Sequence, residues 1–256
     1  MDNKSGFSYL KGKRMIITGA SKGIGRGLAE MFVEAGAQIA AVARPSEELS
    51  SMKNIKGESG GTIEVFEADL RNVVSIRECV KKIYEKFGNV DILVNNAGMG
   101  KPGPALETTE EDWDELIDLN MKSVFFFTQQ VAKRMKENGG GKIVMMSSQA
   151  SVAAIENEST YCASKAGINQ MAKVMALEWA PYGIRINCVG PTFVYTPGTA
   201  ERLDDPEFYQ KTIAKIPVGR VGRIEDVGGA VAFFSSKAAD MITGTLLLVD
   251  GGWTLA

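Results

Sequence analysis

Histidine is absent from all 256 residues of this chain. Its absence excludes Ser–His–Asp triads, imidazole general bases and the common His zinc sites. An acid/base enzyme built on this sequence must work with Tyr, Lys or carboxylates, and no metal site is expected. Cysteine is scarce: Cys79, Cys162 and Cys188 are odd in number and show no Cys-x-x-Cys spacing. They read as reduced thiols in a cytoplasmic protein, with Cys162 a small helix residue. No apolar run approaches the ~20 residues of a membrane-spanning helix, and Met1 to Arg14 lacks the apolar region of a signal peptide. The formal net charge is only −2, which gives no argument for a nucleic acid or an anionic membrane as partner. Repeats, charge blocks and low-complexity segments are also missing.

What is present is a hydrophobic fraction of 45%, enough for one large α/β domain spanning 1–256 with a sizeable core. Short apolar runs of β type begin at Met15-Ile16-Ile17. They continue at Gln38 to Ala43, Thr62 to Phe66, Asp91 to Val94, Lys142 to Met146, Arg185 to Val189 and Leu246 to Val249. Helical patterns lie between them, near Gly25–Glu34, Val73–Lys86, Glu110–Lys136, Thr160–Ala180 and Ile224–Ser235. Strands alternating with helices imply right-handed βαβ units and a parallel sheet. Such continuously apolar strands are buried on both faces. The stretch 191–215 is the one long irregular segment, a candidate substrate lid or a plain surface excursion, with room for short helices.

Two patterns carry chemistry. Tyr161 and Lys165 stand four apart, so on a helix they share a face. A phenol titrates near ~10, too high for proton transfer at neutral pH, and a fixed positive charge lowers it. Taken alone, Tyr-x-x-x-Lys also fits a buried Tyr beside a solvated Lys. Thr18-Gly19-x-x-x-Gly23-x-Gly25 follows a strand and opens a helix. Glycines there permit close backbone approach to a phosphate, and the helix N-terminus offers free N–H groups and a positive dipole end. Many NAD enzymes carry an acid at the end of the second strand for the ribose 2′-hydroxyl. Here that position is Ala43, followed by Arg44, with Lys22 inside the glycine turn. Two cations and no carboxylate suit a 2′-phosphate, hence NADP(H). Arg44 as an ordinary solvated charge is the plain alternative.

Together with Asn95-Asn96-Ala97-Gly98, Asn120, Ser148, Pro191 and Thr196, these motifs resemble the short-chain dehydrogenase/reductase family, in its ~250-residue subgroup, from Gly12 to about Trp253. The resemblance implies a single-domain Rossmann-type doubly wound sheet of seven strands in the order 3-2-1-4-5-6-7. It also implies four roles. Tyr161 exchanges a proton with the reacting oxygen, and Lys165 lowers the Tyr pKa and bonds the nicotinamide ribose. Ser148, which alone of Ser147 and Ser148 has the family's spacing to Tyr161, orients the carbonyl. Asn120 holds a water linking Lys165 to solvent, unless its amide serves only the helix backbone. The implied cofactor contacts are Gly19, Ser21, Lys22, Gly23, Ile24, Gly25, Arg44, Asp69, Leu70, Asn96, Ala97, Gly98, Tyr161, Lys165, Pro191, Val194 and Thr196. Asp69 fits an adenine contact or a cap on the following helix. Thr192 replaces the glycine of the family's Pro-Gly-x-x-x-Thr and stiffens the start of the lid.

Substrate contacts are expected from Ser148, Gln149, Tyr161 and Tyr195, within a wider set of Met99, Ala150, Asn157, Glu158 and Val194. Gln149 and Asn157 could bond hydroxyls, and Glu156 and Glu158 disfavour an anionic carrier, whereas Arg202, Lys211 and Lys215 argue the other way. The ending Val249-Asp250-Gly251-Gly252-Trp253 resembles sugar and polyol dehydrogenases of the family. Interconversion of a carbonyl and a secondary alcohol on a sugar, polyol or hydroxylated ketone is therefore expected. A 3-oxoacyl thioester reductase is the alternative, and a silent NADP-sensing protein a third. Apolar residues beyond one core face, including Phe125, Phe126, Phe127, Met171 and Met175, together with the resemblance, imply a homotetramer with D2 symmetry.

Overall fold

The computed structural model describes residues 7–255; residues 1–6 and 256, the ends of the expected 1–256 domain, lie outside the described residues. Seven strands form one sheet: β1 Arg14–Thr18, β2 Gln38–Ala43, β3 Thr62–Glu67, β4 Ile92–Asn95, β5 Gly141–Met146, β6 Ile184–Pro191 and β7 Leu246–Val249. Their order is β3-β2-β1-β4-β5-β6-β7, and every pairing is parallel. The resemblance implied this order, and the apolar runs marked every strand to within two residues, the widest gap being at β6, which runs on to Pro191. Central strands are closed on both faces, because helices cover the sheet on both sides. Edge strands β3 and β7 are only partly covered, contrary to uniform burial.

Nine α-helices surround the sheet among the described residues. They are α1 Gly23–Glu34, α2 Glu47–Ser51, α3 Val73–Phe87, α4 Glu110–Ile117, α5 Ser123–Glu137, α6 Ser159–Trp179, α7 Pro197–Leu203, α8 Pro206–Ile213 and α9 Ile224–Ser235. On one face, Leu28, Phe32, Val227 and Val231 pack against Ile17, Ile39 and Val144. On the other, Ile76, Ile83, Phe127, Val131, Ile168 and Ala172 pack against Ile16, Leu93 and Ile143.

Three expectations need correction. The pattern from Glu110 to Lys136 is not one helix, because a π turn at Asp118–Lys122 divides α4 from α5. Residues 191–215 are not irregular but carry α7 and α8, each with Pro at its first position behind Thr196 and Asp205. Of the apolar residues expected outside the core, Phe127 and Met175 lie within it. The uncovered ones are Phe125, Val174 and Leu177, the last 81% exposed. With Met171 and Tyr182, the first two line a groove of about 760 Å³ between α5 and α6. Among the described residues, no helix is long and apolar enough to cross a membrane.

Candidate active site

The C-terminal ends of the strands gather the marked residues on one edge of the sheet, where open α/β sheets take their ligands. Gly19 follows β1 with φ +66°, a conformation L side chains rarely adopt. A Cβ there would stand 2.8 Å from Ala97 Cα, and one at Gly25 would collide with the Gly19 carbonyl and the Asn96 amide. Thr18, quoted in the motif but given no role by the sequence reading, fixes this approach. Its Oγ1 accepts from the N–H groups of Asn96 and Ala97, each at 3.0 Å, while Asn96 Nδ2 donates to Thr18 O at 3.0 Å. The Thr before the glycines was the available signal.

The start of α1 has no side-chain cap. By contrast, Ser46, Asn72, Thr109 and Asp205 cap α2, α3, α4 and α8. The N–H groups of Gly23, Ile24 and Gly25 therefore face the turn holding Ser21 and Lys22 and suit a diphosphate. Thr196, at the start of α7, stands 3.9 Å from a Cβ built on Gly23, so the 191–215 segment closes against the glycine turn. Lys22 and Arg44 are exposed, and neither has an ion-pair partner among the described residues. Arg44 lies close enough to help hold the Asp69 carboxyl low, though the Arg71 hydrogen bond comes first. Asp69 does not cap α3; that is Asn72, whose Oδ1 accepts from Val74 and Ser75. Leu70, next in sequence to Asp69, is buried, and Pro191 and Val194 are buried at the end of β6 and beyond it. Thr192 Oγ1 is buried without a partner. Bare helix start, glycine cradle and unpaired cations together fit a dinucleotide.

The second cluster lies beside Gly98. A Cβ there would come within 3.2 Å of Asn120 Oδ1 and 3.3 Å of Lys165 Nζ. Lys165 is only 5% exposed. Its Nζ donates to the Met146 carbonyl at 2.9 Å and lies 5.7 Å from the centre of the Tyr161 ring. Burial lowers its pKa to about 8, with the neighbouring Cys188 pulling weakly upward. Tyr161 runs against expectation, since its phenol is raised above 10. Burial is the first cause, a hydrogen bond from Ser148 pulls it down, and Glu158 and Cys162 push it up. Lys165 is not among the causes: an amine whose pKa is about 8 is neutral before a phenol raised above its ordinary value loses its proton.

Ser148 Oγ also accepts from Ala150 N at 3.2 Å. Ser147 turns away, its Oγ donating to the Lys165 carbonyl. Asn120 sits in the π turn, fully buried. Its amide clamps the Met99 backbone, accepting from N at 2.8 Å and donating to O at 2.9 Å. It also donates to Ser164 Oγ at 3.1 Å, which in turn donates to the Tyr161 carbonyl at 2.8 Å. Asn120 thus ties the loop after β4 to the helix carrying Tyr161, a structural task whatever else it does. Ser164 is a second residue the sequence reading missed.

On the substrate side, Gln149 is buried and its amide takes no partner among the described residues. Tyr195 is half exposed and donates its hydroxyl to Asp204 Oδ1 at 2.8 Å, leaving its ring and the acceptor side of its oxygen for a ligand. Arg202 stacks on Phe208 and Phe193, Lys215 lies over Trp253, and Lys211 pairs with Glu207.

Fold and site together define an oxidoreductase built to hold a nicotinamide nucleotide against a Ser–Tyr–Lys cluster. A family model described as Enoyl-(Acyl carrier protein) reductase matches residues 19–254. The chain is 38% identical to the D-threitol dehydrogenase of Mycolicibacterium smegmatis over 96% of this chain and 94% of the relative. It is 36% identical to the 3-oxoacyl-[acyl-carrier-protein] reductase FabG of Thermotoga maritima, over 95% and 98%. A gluconate 5-dehydrogenase from Burkholderia cenocepacia, solved with NADP and tartrate, superposes with a TM-score of 0.91 at 33% identity, covering 96% of this chain and 97% of that one. The chain belongs to the short-chain dehydrogenase/reductase family and is an oxidoreductase acting on CH–OH groups.

Proposed function

We propose that this protein is an NADP(H)-dependent enzyme interconverting a secondary alcohol and a carbonyl on a polyol, sugar or hydroxylated ketone. The observation that carries the reading is Lys165, buried beside Gly98 with its Nζ 5.7 Å from the centre of the Tyr161 ring, with the Ser148 hydroxyl acting on the same phenol. The nicotinamide, when bound, supplies the hydride chemistry. Tyr161 then passes a proton to the carbonyl oxygen or takes one from the alcohol. Ser148 holds that oxygen in line. Lys165 bonds the nicotinamide ribose and, protonated below about 8, favours the phenolate as the proton leaves Tyr161. Asn120 keeps Met99 and α6 in register and holds the water of a proton path to solvent. Arg44 and Lys22 take the 2′-phosphate, in keeping with the NADP-bound relative.

The D-threitol dehydrogenase supports a polyol substrate. The FabG relative keeps a 3-oxoacyl thioester in view. The cations that would receive an anionic carrier are already stacked or paired, which weighs against it. The exposed apolar groove between α5 and α6 is the surface for second copies of the chain in a homotetramer. Steady-state turnover of NADPH and NADP⁺ over polyols, ketoses, aldonates, diketones and acetoacetyl thioesters tests the reading. Tyr161→Phe should cut turnover by about 10²–10⁴-fold with cofactor binding retained. Near-normal turnover in that variant removes Tyr161 from its role, and a catalytically silent wild type returns the sensor reading.

A further inference from the structure

Glu158, expected only to disfavour an anionic carrier at the mouth, stands one helical turn before Tyr161. It occupies the N-cap position of α6, yet its side chain makes no cap hydrogen bond. The residue before it explains this. Asn157 has φ +62° and is the one non-glycine residue with positive φ among the described residues. Asn is the non-glycine side chain that best tolerates that conformation. Here the Asn157 carbonyl is held by Gly103 N at 2.8 Å. The kink directs the Glu158 carboxylate away from the helix N–H groups and toward the loop after β4, with Oε2 3.9 Å from a Cβ built on Gly100.

There Oε2 is buried and has no hydrogen-bond partner. A carboxylate oxygen in such a place is costly to leave unpaired. From the N-cap of α6, one helical turn before Tyr161, its charge is felt at the phenol. Burial raises the Glu158 pKa above the ordinary carboxylate value, and Arg202 is the cation that pulls it back down. Arg202, however, is exposed and stacked on Phe208 at 4.7 Å and Phe193 at 5.6 Å, and forms no ion pair with Glu158. Lys165 Nζ is committed to Met146 O. The inner wall beside Tyr161 therefore presents an acceptor and a negative charge, with its cation outside.

We infer that Glu158 determines specificity: it accepts a hydrogen bond from a hydroxyl of a neutral polyol or ketose held at Tyr161, and it rejects aldonates and other carboxylate-bearing substrates. A hydroxyl donor satisfies Oε2 without bringing a second charge. A substrate carboxylate in the same space would meet a like charge in a desolvated setting, where repulsion is strong. This inference rests on the proposed polyol oxidoreductase and separates the neutral polyols from the aldonates that its relatives use.

The test compares kcat/KM for the best neutral polyol in a panel including glycerol and D-threitol with that for D-gluconate, in wild type and Glu158→Gln. Wild type should prefer the polyol. Glu158→Gln keeps the shape and removes the charge. It should lose roughly fivefold on the polyol, the difference between a charged and a neutral acceptor, and gain about tenfold on D-gluconate. Glu158→Asp, with the charge kept but withdrawn, should weaken polyol use while still excluding D-gluconate, and it carries the test if the Gln variant fails to bind NADPH. A wild type that prefers D-gluconate overturns the inference. So does an equal change on both substrates, which would mean that Glu158 acts only through the Tyr161 phenol. A wild type inactive on every alcohol and ketone brings down the oxidoreductase reading instead.

Discussion

Lys165 is held in the protein at a cost, and removing it should make the cofactor-free protein more stable while disabling it. Burial brings its pKa to about 8 from the ordinary 10.5. At about 1.4 kcal/mol per pKa unit, that gap corresponds to roughly 3 kcal/mol of destabilisation when the amine is forced to carry a proton. Lys165→Met fills similar space without a charge, but forfeits the 2.9 Å hydrogen bond to Met146 O, worth about 1 kcal/mol. The net gain at pH 7 should be about 1–2 kcal/mol, a few degrees in Tm for a chain of this size. The pH dependence follows from the depressed folded pKa. Below about 8 the folded state carries the full penalty. Between about 8 and 10.5 the unfolded chain binds more protons than the folded one, so wild-type stability rises relative to the variant. Above that window the penalty is gone and the wild type, with its hydrogen bond, should be the more stable. Urea unfolding of both proteins between pH 7 and 10, without cofactor and at one protein concentration, measures the difference. A difference that stays constant across that range would refute the claim that burial of the ammonium is what costs stability.

Arg44→Asp should remove one attraction for the 2′-phosphate, add a repulsion and offer an acceptor to a ribose hydroxyl. The wild-type preference for NADPH, expected at roughly 10²-fold or more from two charge-assisted contacts after screening, should fall steeply and shrink with salt. Equal wild-type kcat/KM for NADH and NADPH would show that Arg44 and Lys22 are only solvated charges. Gly25→Ala should abolish cofactor binding, because its methyl would collide with the Gly19 carbonyl and the Asn96 amide; overpacking also costs about 1–3 kcal/mol. Cofactor-induced fluorescence change and unfolding check both effects, and unimpaired binding would show that the turn has slack.

The fold was legible because β1, β2, β4 and β5 are buried on both faces, so their apolar runs stand out from helical periodicity without help from neighbours. Ile224–Ser235 was readable to the residue as α9, which ends where Ser236 begins a new turn. The short α2 was missed although Ser46 followed by Glu47 and Glu48 is an N-cap with acids behind it. The short helices for which 191–215 left room went unplaced for the same reason, although Thr196-Pro197 and Asp205-Pro206 are helix starts with Pro at the first position. In the site, the motif residues do gather, since each stands at a strand end that topology brings to one edge. Three things were not readable. The sign of the Tyr161 shift depends on how much of the surrounding chain excludes water, which no local pattern encodes. The Tyr195–Asp204 bond depends on how α7 folds back. The Glu158 orientation depends on the backbone sign at Asn157, which nothing in Ile155-Glu156-Asn157-Glu158 announces.

The π turn at Asp118–Lys122 has a consequence for the whole far side of the molecule. A π turn admits one residue more than an α turn, and one residue advances a helix by about 100°. Everything downstream of Asn120 is therefore rotated about the helix axis relative to an uninterrupted continuation of α4. The phase that brings Asn120 onto Met99 also turns Phe125 outward into the groove against α6 and keeps Phe127 and Val131 inward. Deleting a single residue from the turn would restore a regular helix, yet it would misalign the clamp beside Lys165 and the groove wall at one stroke. Interior chemistry and exterior shape are set here by one shared offset in helical phase.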